Sequence, residues 1–330
     1  MTGRERVQAV LAGQVPDSVP RALYDVAIDT YNDTTIELFR EKTGKHPRDC
    51  FRHDIQGVRL ARREMEKGFW GHVWQATGDP DELRRRLRPW VKNPDDPARL
   101  RAQVRDAHGR GRAALAVGLV SDFETPFGRR GREQFFLDLG MEEPWLPVFI
   151  DALAEAAAQD ARAAAGAGAD LFGIGDDLGS QRGLLIHPDQ WRRLFKPALA
   201  RIVAATKEPD TGTRFFLHTD GLVTEVVPDF IEVGVDVLNP IQPEVMDPAQ
   251  VKRDYGRALK FLGAISVQYN LPFGAPEDVA REVRERMDTI GAGGGYIMTP
   301  SHMLNADIPW ENIKAFFEAA DRYGTYERTA

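Results

Sequence analysis

From about residue 110 onward the chain alternates two hydrophobicity patterns, and this alternation limits the possible folds more than any other feature. Short apolar runs that end in polar residues are each followed by an amphipathic stretch with helical spacing. The runs predicted to be strands cover residues 114–121, 169–175, 214–217, 235–239, 259–264 and 295–299. Five or more successive strand–helix units predict a parallel sheet covered by helices on both faces, either open or closed.

The first 110 residues carry a weaker version of the same pattern. Residues 19–25 and 50–57 are predicted strands, and the charged segment 29–42 is a predicted helix. Residues 60–110 are interpreted as an insertion that contains the aromatic segment 69–74. This segment is expected to form a surface-packed hairpin, with a lid over the mouth of the sheet as the alternative.

Charge and cysteine content exclude several classes of protein. The formal net charge of −7 argues against nucleic acid as a partner, because backbone phosphates would be repelled. No apolar run approaches the ~18–20 residues that span a bilayer, and the charged N-terminus does not resemble a signal peptide, so a cytoplasmic location is expected. Cys50 is the only cysteine, which excludes an intrachain disulfide and an all-thiolate metal site. It is interpreted as a buried structural thiol.

Polar residues lie at or just beyond the ends of the predicted strands. In barrels of strand–helix units such positions converge on one pocket. The residues at these positions are Asp54, Asp122, Asp176, Asp177, Gln181, His218, Asp220, Asn239, Gln242, Ser266, Gln268 and His302. Any one of them can instead be a helix cap, and His187 before Pro188 is assigned to helix entry.

Two short motifs suggest specific local structures. His218 and Asp220 lie two residues apart at a strand end, as metal ligands or an acid–base pair would. A buried histidine bonded to its neighbour is the structural alternative. The glycines at 293–295 precede a predicted strand, so they are interpreted as a tight turn and not as a phosphate-binding loop.

The chain resembles the uroporphyrinogen decarboxylase superfamily, which includes corrinoid-linked methyltransferases, over nearly its whole length. The segments that carry the resemblance are the start at 3–20, Phe216-Leu217-His218-Thr219-Asp220-Gly221, Gly234-Val235-Asp236-Val237-Leu238-Asn239-Pro240 with Gln242, and Pro309-Trp310-Glu311-Asn312-Ile313. The resemblance and the strand–helix pattern together predict an α/β fold, a single (β/α)8 TIM barrel domain over residues 1–330 with an N-terminal insertion. Homodimers are usual in the superfamily.

The departures from the family pattern are informative about the substrate. Decarboxylases of the family carry an early Arg-Gln-Ala-Gly-Arg loop that clamps the carboxylates of the tetrapyrrole. Here the equivalent region reads Arg21-Ala22-Leu23-Tyr24-Asp25, and Asp29 follows. Acidic side chains would repel an eight-carboxylate substrate, which argues against porphyrinogen decarboxylation. The resemblance also implies that Asp54 matches the decarboxylase's essential aspartate and His302 its substrate-contacting histidine.

A second departure concerns a metal site. Zinc methyltransferases of the superfamily use a His-x-Cys pair and a later cysteine after the last strand. This chain places His218, Asp220 and His302 at those positions, so the resemblance implies a zinc site with harder ligands. Such a site would polarise an oxygen, as in removal of an ether or phenol methyl group, better than it would activate a thiol. Alternatively, Asp220 bonds the Nδ1 proton of His218 and makes His218 a general acid or base.

The resulting functional hypothesis is a methyltransferase that moves a methyl group from a small, perhaps O-methylated, substrate to a corrinoid carried by a partner protein. Its predicted catalytic residues are His218, His302 and Asp54, and its predicted substrate-binding residues are Asp122, Asp176, Asp177, Gln181, Asn239 and Gln242. One alternative is a metal-free decarboxylase or lyase in which Asp54 stabilises a developing cation. A non-catalytic binding barrel is the other alternative.

Overall fold

The computed structural model of the chain describes residues 1–31, 33–60, 67–91, 96–118, 120–208, 210–305 and 307–326. The strands are β1 (Ile55–Arg59), β2 (Ala113–Val117), β3 (Leu171–Gly175), β4 (Gly179–Ser180), β5 (Gly183–Leu184), β6 (Arg214–His218), β7 (Val237–Ile241), β8 (Lys260–Ile265) and β9 (Tyr296–Pro300). The helices are α1 (Gly3–Leu11), α2 (Tyr24–Ile28), α3 (Asp33–Thr43), α4 (Phe69–Gln75), α5 (Pro80–Val91), α6 (Pro97–Gly109), α7 (Glu124–Arg130), α8 (Arg132–Gly140), α9 (Leu146–Ala167), α10 (Pro188–Leu194), α11 (Lys196–Lys207), α12 (Val227–Val233), α13 (Pro248–Tyr255), α14 (Asn270–Phe273), α15 (Pro276–Asp288) and α16 (Trp310–Tyr323).

In the described part of the chain, seven strands form one parallel sheet in the order β1-β2-β3-β6-β7-β8-β9. Consecutive strands are neighbours because each is joined to the next by helices that cover the sheet, as parallel pairing requires. Strands β4 and β5 form a separate two-residue antiparallel hairpin after β3. The parallel sheet predicted from the alternating pattern is therefore present.

An extended segment at residues 20–22 joins the two edges of this sheet. Pro20 and Ala22 exchange backbone hydrogen bonds with Met298 in β9, and the carbonyl of Arg21 accepts from the amide of Asp54, just before β1. The predicted strand 19–25 is thus reduced to one bridge, because helix α2 begins at Tyr24. Among the described residues the sheet has seven regular strands, not the predicted eight.

The sheet curls around a small apolar interior. One buried cluster takes a side chain from every strand of the sheet and adds Val7 and Val10 of α1 from below. Its strand members are Ile55, Ala113, Leu115, Leu171, Phe216, Val237, Leu262 and Ile297. Since alternate residues of a strand point to opposite faces, residues two positions further along these strands also point inward, at the carboxyl ends.

The predicted insertion contains helices where a hairpin was expected. Residues 69–75 form α4, and Trp70 stacks on Trp74 one helical turn away at 6.0 Å between ring centroids. Aromatic side chains four residues apart share one face of a helix, which explains the packing. The predicted hairpin is therefore wrong, and Trp70 contributes to the wall of a cavity described below.

The predicted helix cap at His187 and the predicted glycine turn at 293–295 are present, whereas the predicted helix 188–206 is divided. His187 caps α10 by accepting from the amide of Asp189, and Gly293, Gly294 and Gly295 all have positive φ angles, as a tight turn before β9 requires. The predicted helix 188–206 is divided at Phe195 into α10 and α11. Among the described residues, no helix has both the length and the apolar character of a membrane-crossing segment.

Candidate active site

His218 is the last residue of β6 and points into the interior of the sheet. Phe216, two residues earlier, belongs to the interior cluster, so the strand alternation directs His218 to the same side. Gly173 on the neighbouring strand β3 leaves room for Phe216, since a Cβ atom on Gly173 would lie 2.3 Å from the Phe216 ring. The imidazole of His218 therefore lies at the carboxyl end of the sheet interior.

Hydrogen bonds determine which nitrogen of His218 carries a proton. The amide of Asn239 donates through Nδ2 to the Leu262 carbonyl, so its Oδ1 faces His218 Nδ1 at 2.6 Å and must accept from it. The hydroxyl of Tyr24 lies 2.8 Å from the same nitrogen. The proton on Nδ1 leaves Nε2 available as a ligand or base, the arrangement seen in metal-bound histidines.

His218, Asp220 and His302 come together at this point, and they could hold one metal ion. One ligand atom from each lies within 4.8 Å of the others. Asp220 Oδ2 is 3.9 Å from His218 Nε2 and 4.0 Å from His302 Nε2. These gaps are too long for hydrogen bonds and close to the ~3.4 Å that separates ligands of a tetrahedral zinc ion. The spacing and donor types fit a divalent cation.

The loop that carries His302 is fixed through its neighbour Leu304. Asp25 of α2 accepts from the Leu304 amide at 3.0 Å, and the hydroxyl of Thr35 donates to the Leu304 carbonyl at 3.0 Å. Burial raises the pKa of Asp25 to about 7. Partial burial also lowers the pKa of His302, which favours the neutral imidazole that a metal ion requires.

The three residues lie beside a cavity of about 840 Å³ at the carboxyl ends of the strands. The side chains that line it come from α2, α4, α5, α7 and the strand ends. They are Tyr24, Ile28, Thr30, Trp70, Trp90, Val117, Gly118, Val120, Ser121, Glu124, Thr125, Gly128, Arg129, Gly175, Phe216, His218, His302 and Met303. Aromatic and aliphatic groups thus form much of the wall, while a few titratable groups project into the cavity.

Tyr24 and Glu124 are two cavity residues whose pKa values are raised above those of the free side chains. Partial burial raises the pKa of Glu124 to about 7, and the negative charges of Asp177 and Asp176 act in the same direction. Burial raises the pKa of Tyr24 well above 10, so its hydroxyl stays protonated. The ring of Tyr24 also stacks on that of His218, with 5.5 Å between the centroids, and its centroid lies 5.8 Å from that of the His302 ring.

Two of the predicted substrate-binding carboxylates, Asp122 and Asp176, are buried behind the cavity wall and do not line it. Burial raises the pKa of both groups, and the charge of Asp122 raises that of Asp176 further. Asp176 accepts from the amides of Phe123 and Glu124 at the start of α7. The contacts of Asp176 thus support the start of helix α7 and do not direct its carboxylate into the cavity.

The other predicted polar residues differ in position. Asp177 lies 3.6 Å from His218 Nε2 through its Oδ1, which also accepts from the Asp220 amide. Gln242 is buried and accepts from the Gly221 amide, which holds the loop that carries Asp220. Gln181 is exposed in the turn between β4 and β5 and does not line the cavity.

Asp54 lies at the opposite end of the sheet from His218. It precedes β1, and its carboxylate accepts from Arg52 at 3.0 and 3.1 Å and from the amide of Arg21 at 3.0 Å. The expected position of Asp54 at the end of a strand is wrong, because β1 begins at Ile55. Asp54 therefore does not line the cavity that His218 lines.

Sequence reasoning missed Tyr24, Glu124, Arg129, Trp70 and Trp90 as cavity residues. Glu124 follows the predicted Asp122 by two residues, so the rule that groups beyond a strand end converge would have found it. Tyr24 was hidden by the expectation of a strand at 19–25. Trp70 was assigned to a hairpin, with a lid over the mouth of the sheet as the alternative. No local signal singled out Trp90, or distinguished Arg129 from the arginines beside it.

The fold and the site define an α/β protein with a cluster of titratable side chains at the carboxyl ends of its parallel strands. The family model described as "Uroporphyrinogen decarboxylase (URO-D)" matches residues 127–323. This match covers more than half of the chain, which therefore belongs to the uroporphyrinogen decarboxylase family.

The relatives include methyltransferases and decarboxylases. The chain is 28% identical over 174 residues to the methylcobamide:CoM methyltransferase MtaA of Methanosarcina barkeri, which covers 53% of this chain and 48% of the relative. It is 23% identical over 172 residues to a uroporphyrinogen decarboxylase of Crocosphaera subtropica, covering 52% of this chain and 46% of the relative. The chain thus spans about half the length of the curated relatives it matches.

A solved structure extends the fold similarity. A methyltransferase from Methanosarcina mazei superimposes with a TM-score of 0.67 over 98% of this chain and 99% of its own, at 17% sequence identity. At this identity the similarity shows the fold alone. The resemblance to the methyltransferase branch of the superfamily, expected from the motifs, is supported by these relatives.

Proposed function

We propose that this protein is a methyltransferase that moves a methyl group from a small O-methylated substrate to a cobamide carried by a partner protein. The observation that carries the proposal is the convergence of His218, Asp220 and His302 at one cavity. Its methyltransferase relatives favour the same class of reaction. The chain is proposed to work as one TIM-barrel domain over residues 1–330, with residues 20–22 in place of a regular eighth strand.

The three converging residues are proposed to hold zinc. Two imidazoles and one carboxylate are a known donor set for catalytic zinc and leave a position open for substrate. When bound, the ion would act as a Lewis acid toward an oxygen of the substrate. Asn239 orients the ring of His218, because its Oδ1 accepts the Nδ1 proton at 2.6 Å.

Transfer of a methyl group from oxygen needs one proton for the oxygen that is left behind. The C–O bond breaks, the methyl group passes to a reduced cobamide as a methyl cation equivalent, and the oxygen leaves as a hydroxyl group. Glu124 lines the cavity, and its pKa of about 7 leaves a protonated fraction at neutral pH. Glu124 is therefore the proposed proton donor.

The printed name of the relative MtaA describes transfer between methylcobamide and CoM, a thiol. In this chain a carboxylate and an imidazole, Asp220 and His302, stand at positions where the sequence resemblance implies cysteines. Hard ligands leave a bound metal ion more suited to oxygen than to sulfur. The proposed substrate is therefore an ether or a phenol methyl ether.

The decarboxylase alternative receives less support from the geometry. It relied on Asp54 to stabilise a developing cation, and Asp54 lies at the other end of the sheet, bonded to Arg52. Among the described residues, Arg129 is the only lysine or arginine that lines the cavity, whereas an eight-carboxylate substrate would need several. A non-catalytic barrel would not explain why titratable groups converge on the cavity.

The proposed activity can be tested with the full chain, reduced cobalamin and a panel of methanol, 2-methoxyphenol and 4-methoxybenzoate. Formation of methylcobalamin, followed by absorbance, is expected for the wild type with at least one compound. His218→Ala is expected to remove it, since the variant loses a proposed metal ligand. Release of carbon dioxide from carboxylated compounds, with no methyl transfer, would contradict the proposal and favour the decarboxylase alternative.

A further inference from the structure

Arg129 of α7 is a cationic group in the cavity wall without an acidic partner. Its guanidinium lies over the ring of Trp70, with Cζ 5.5 Å from the ring centroid. The side chain is exposed to the cavity, and no carboxylate in the described part of the chain pairs with it. Glu124 lies on the same helix and lines the same cavity but makes no ion pair with it.

The next residue, Arg130, shows what a purely structural arginine looks like at this position. Its Nε donates to Asp138 Oδ2 at 2.7 Å, and its Cζ lies 5.3 Å and 5.5 Å from the ring centroids of Trp74 and Trp145. Both its charge and its faces are used by the protein. Arg129 uses one face on Trp70 and leaves its N–H groups available.

A guanidinium stacked on an aromatic ring is well prepared to bind a carboxylate. Stacking holds the planar group in one orientation while its N–H groups remain free to donate two parallel hydrogen bonds. Arg21, in the segment that corresponds to the family's early arginine loop, cannot bind the same carboxylate, because it is buried and pairs with Asp321. The cavity therefore offers one site for one acidic group.

We propose that Arg129 binds a single carboxylate of the substrate, so that the substrate is a small aromatic monoacid with its methyl ether directed toward His218. This inference rests on the proposed function, which supplies the methyl ether. The aromatic part follows from the wall, where Tyr24, Trp70 and Phe216 present rings to the cavity. A cavity of about 840 Å³ accommodates such a molecule.

Calorimetric titration of the full chain tests the inference with a matched pair of probes, 4-methoxybenzoate and 4-methoxybenzamide. The acid is expected to bind at least about tenfold more tightly than the amide, because a charge-assisted pair contributes more than a neutral hydrogen bond. Arg129→Gln is expected to remove this preference, and Arg129→Lys to restore part of it. Arg132→Gln, which removes an arginine outside the cavity, serves as the control and is expected to keep the preference.

The outcomes separate this inference from the proposed function. Equal binding of acid and amide by the wild type, or a preference that survives in Arg129→Gln at unchanged metal content, would overturn the role of Arg129. A preference that depends on Arg129 supports it even if no methoxy compound yields methylcobalamin, a result that would count against the methyltransferase alone. Circular dichroism of Arg129→Gln and Arg129→Lys establishes that the variants are folded.

Discussion

The two ends of the parallel sheet contain similar polar residues in opposite states of pairing. At the amino ends, Asp170 accepts from Arg4 and Gln8 at 3.0 Å, from His108 at 2.8 Å and from the amide of Ala114 at 2.9 Å. Asp54 is paired in the same way by Arg52 and the amide of Arg21. Each of these buried carboxylates has several donors, which is the arrangement expected of groups that stabilise a fold.

At the carboxyl ends, Asp220 faces two imidazoles across gaps of 3.9 and 4.0 Å. Asp177 adds a second carboxylate 3.6 Å from His218. No arginine or lysine of the described residues pairs with this group. Titratable side chains that converge on a cavity without pairing with one another are typical of functional sites, and in barrels such sites occur at this end of the sheet. The pairing of a residue is therefore more informative about its role than its type.

The same chemical change at the two ends should have different effects, and Asp220→Asn is expected to have the largest. It removes a proposed metal ligand, so kcat/KM for methyl transfer should fall by at least about 100-fold, beyond the 10–100-fold typical of outer-shell partners. Thermal unfolding of the metal-free protein should change little, since among the described residues no backbone amide donates to the carboxylate of Asp220. If Asp220→Asn kept the activity of the wild type, the carboxyl end of the sheet would have no more claim to a functional role than the amino end.

Asp54→Asn is expected to lower the free energy of unfolding by about 2–4 kcal/mol, because it weakens a buried carboxylate's bonds to Arg52 and to the Arg21 amide. Urea titration measures this loss. The folded variant should keep kcat within about threefold of the wild type, as expected of a residue outside the cavity. If Asp54→Asn had the unfolding free energy of the wild type but no activity, Asp54 would be a catalytic residue and not a structural one.

Asn239→Ala tests how His218 is oriented. Loss of the acceptor for the Nδ1 proton should reduce metal affinity and activity about 10–100-fold. Asn312→Ala is a matched control, since Asn312 is also buried and donates to the backbone carbonyls of Leu271 and Gly274. The control should lose stability but keep its metal affinity. Equal metal affinity in the two variants would show that Asn239 does not position His218.

The smallest expected effect concerns pH. Glu124 has a pKa raised to about 7, and its acid form is the proposed donor, so activity should be highest below pH 7 and fall as the pH rises through that value. Between pH 6 and pH 8 the protonated fraction, and with it the rate, falls about tenfold. In Glu124→Gln this decrease should disappear from the profile of kcat against pH. A decrease that persists in the variant would assign it to another group.

The regular part of the fold could be predicted from the sequence, because buried parallel strands give continuous apolar runs. The predicted strands 169–175 and 259–264 correspond to β3 (Leu171–Gly175) and β8 (Lys260–Ile265). His218, Asp220 and His302 were also expected to lie together, and the structure brings them within 4.8 Å. Residues at the carboxyl ends of neighbouring parallel strands lie at the same end of the sheet, so their proximity could be expected.

The errors arose where the chain is not part of a regular strand–helix unit. The predicted strand 50–57 led to the expectation that Asp54 lies at the carboxyl end of a strand, but β1 begins only at Ile55 and Asp54 lies at its amino end. Residues 19–25 join the sheet edges by tertiary hydrogen bonds to Met298, which no local pattern encodes. The position of Tyr24 beside His218 depends on that closure and could not be derived from the sequence.

Zinc content tests the central claim most directly. The wild type, dialysed against metal-free buffer after loading, should retain about one zinc ion per chain. His302→Ala and His218→Ala should each lose it while remaining folded, as judged by circular dichroism. A wild type that retains no zinc, or that stays fully active after exhaustive chelation, would contradict the account and leave His218 as an acid–base group.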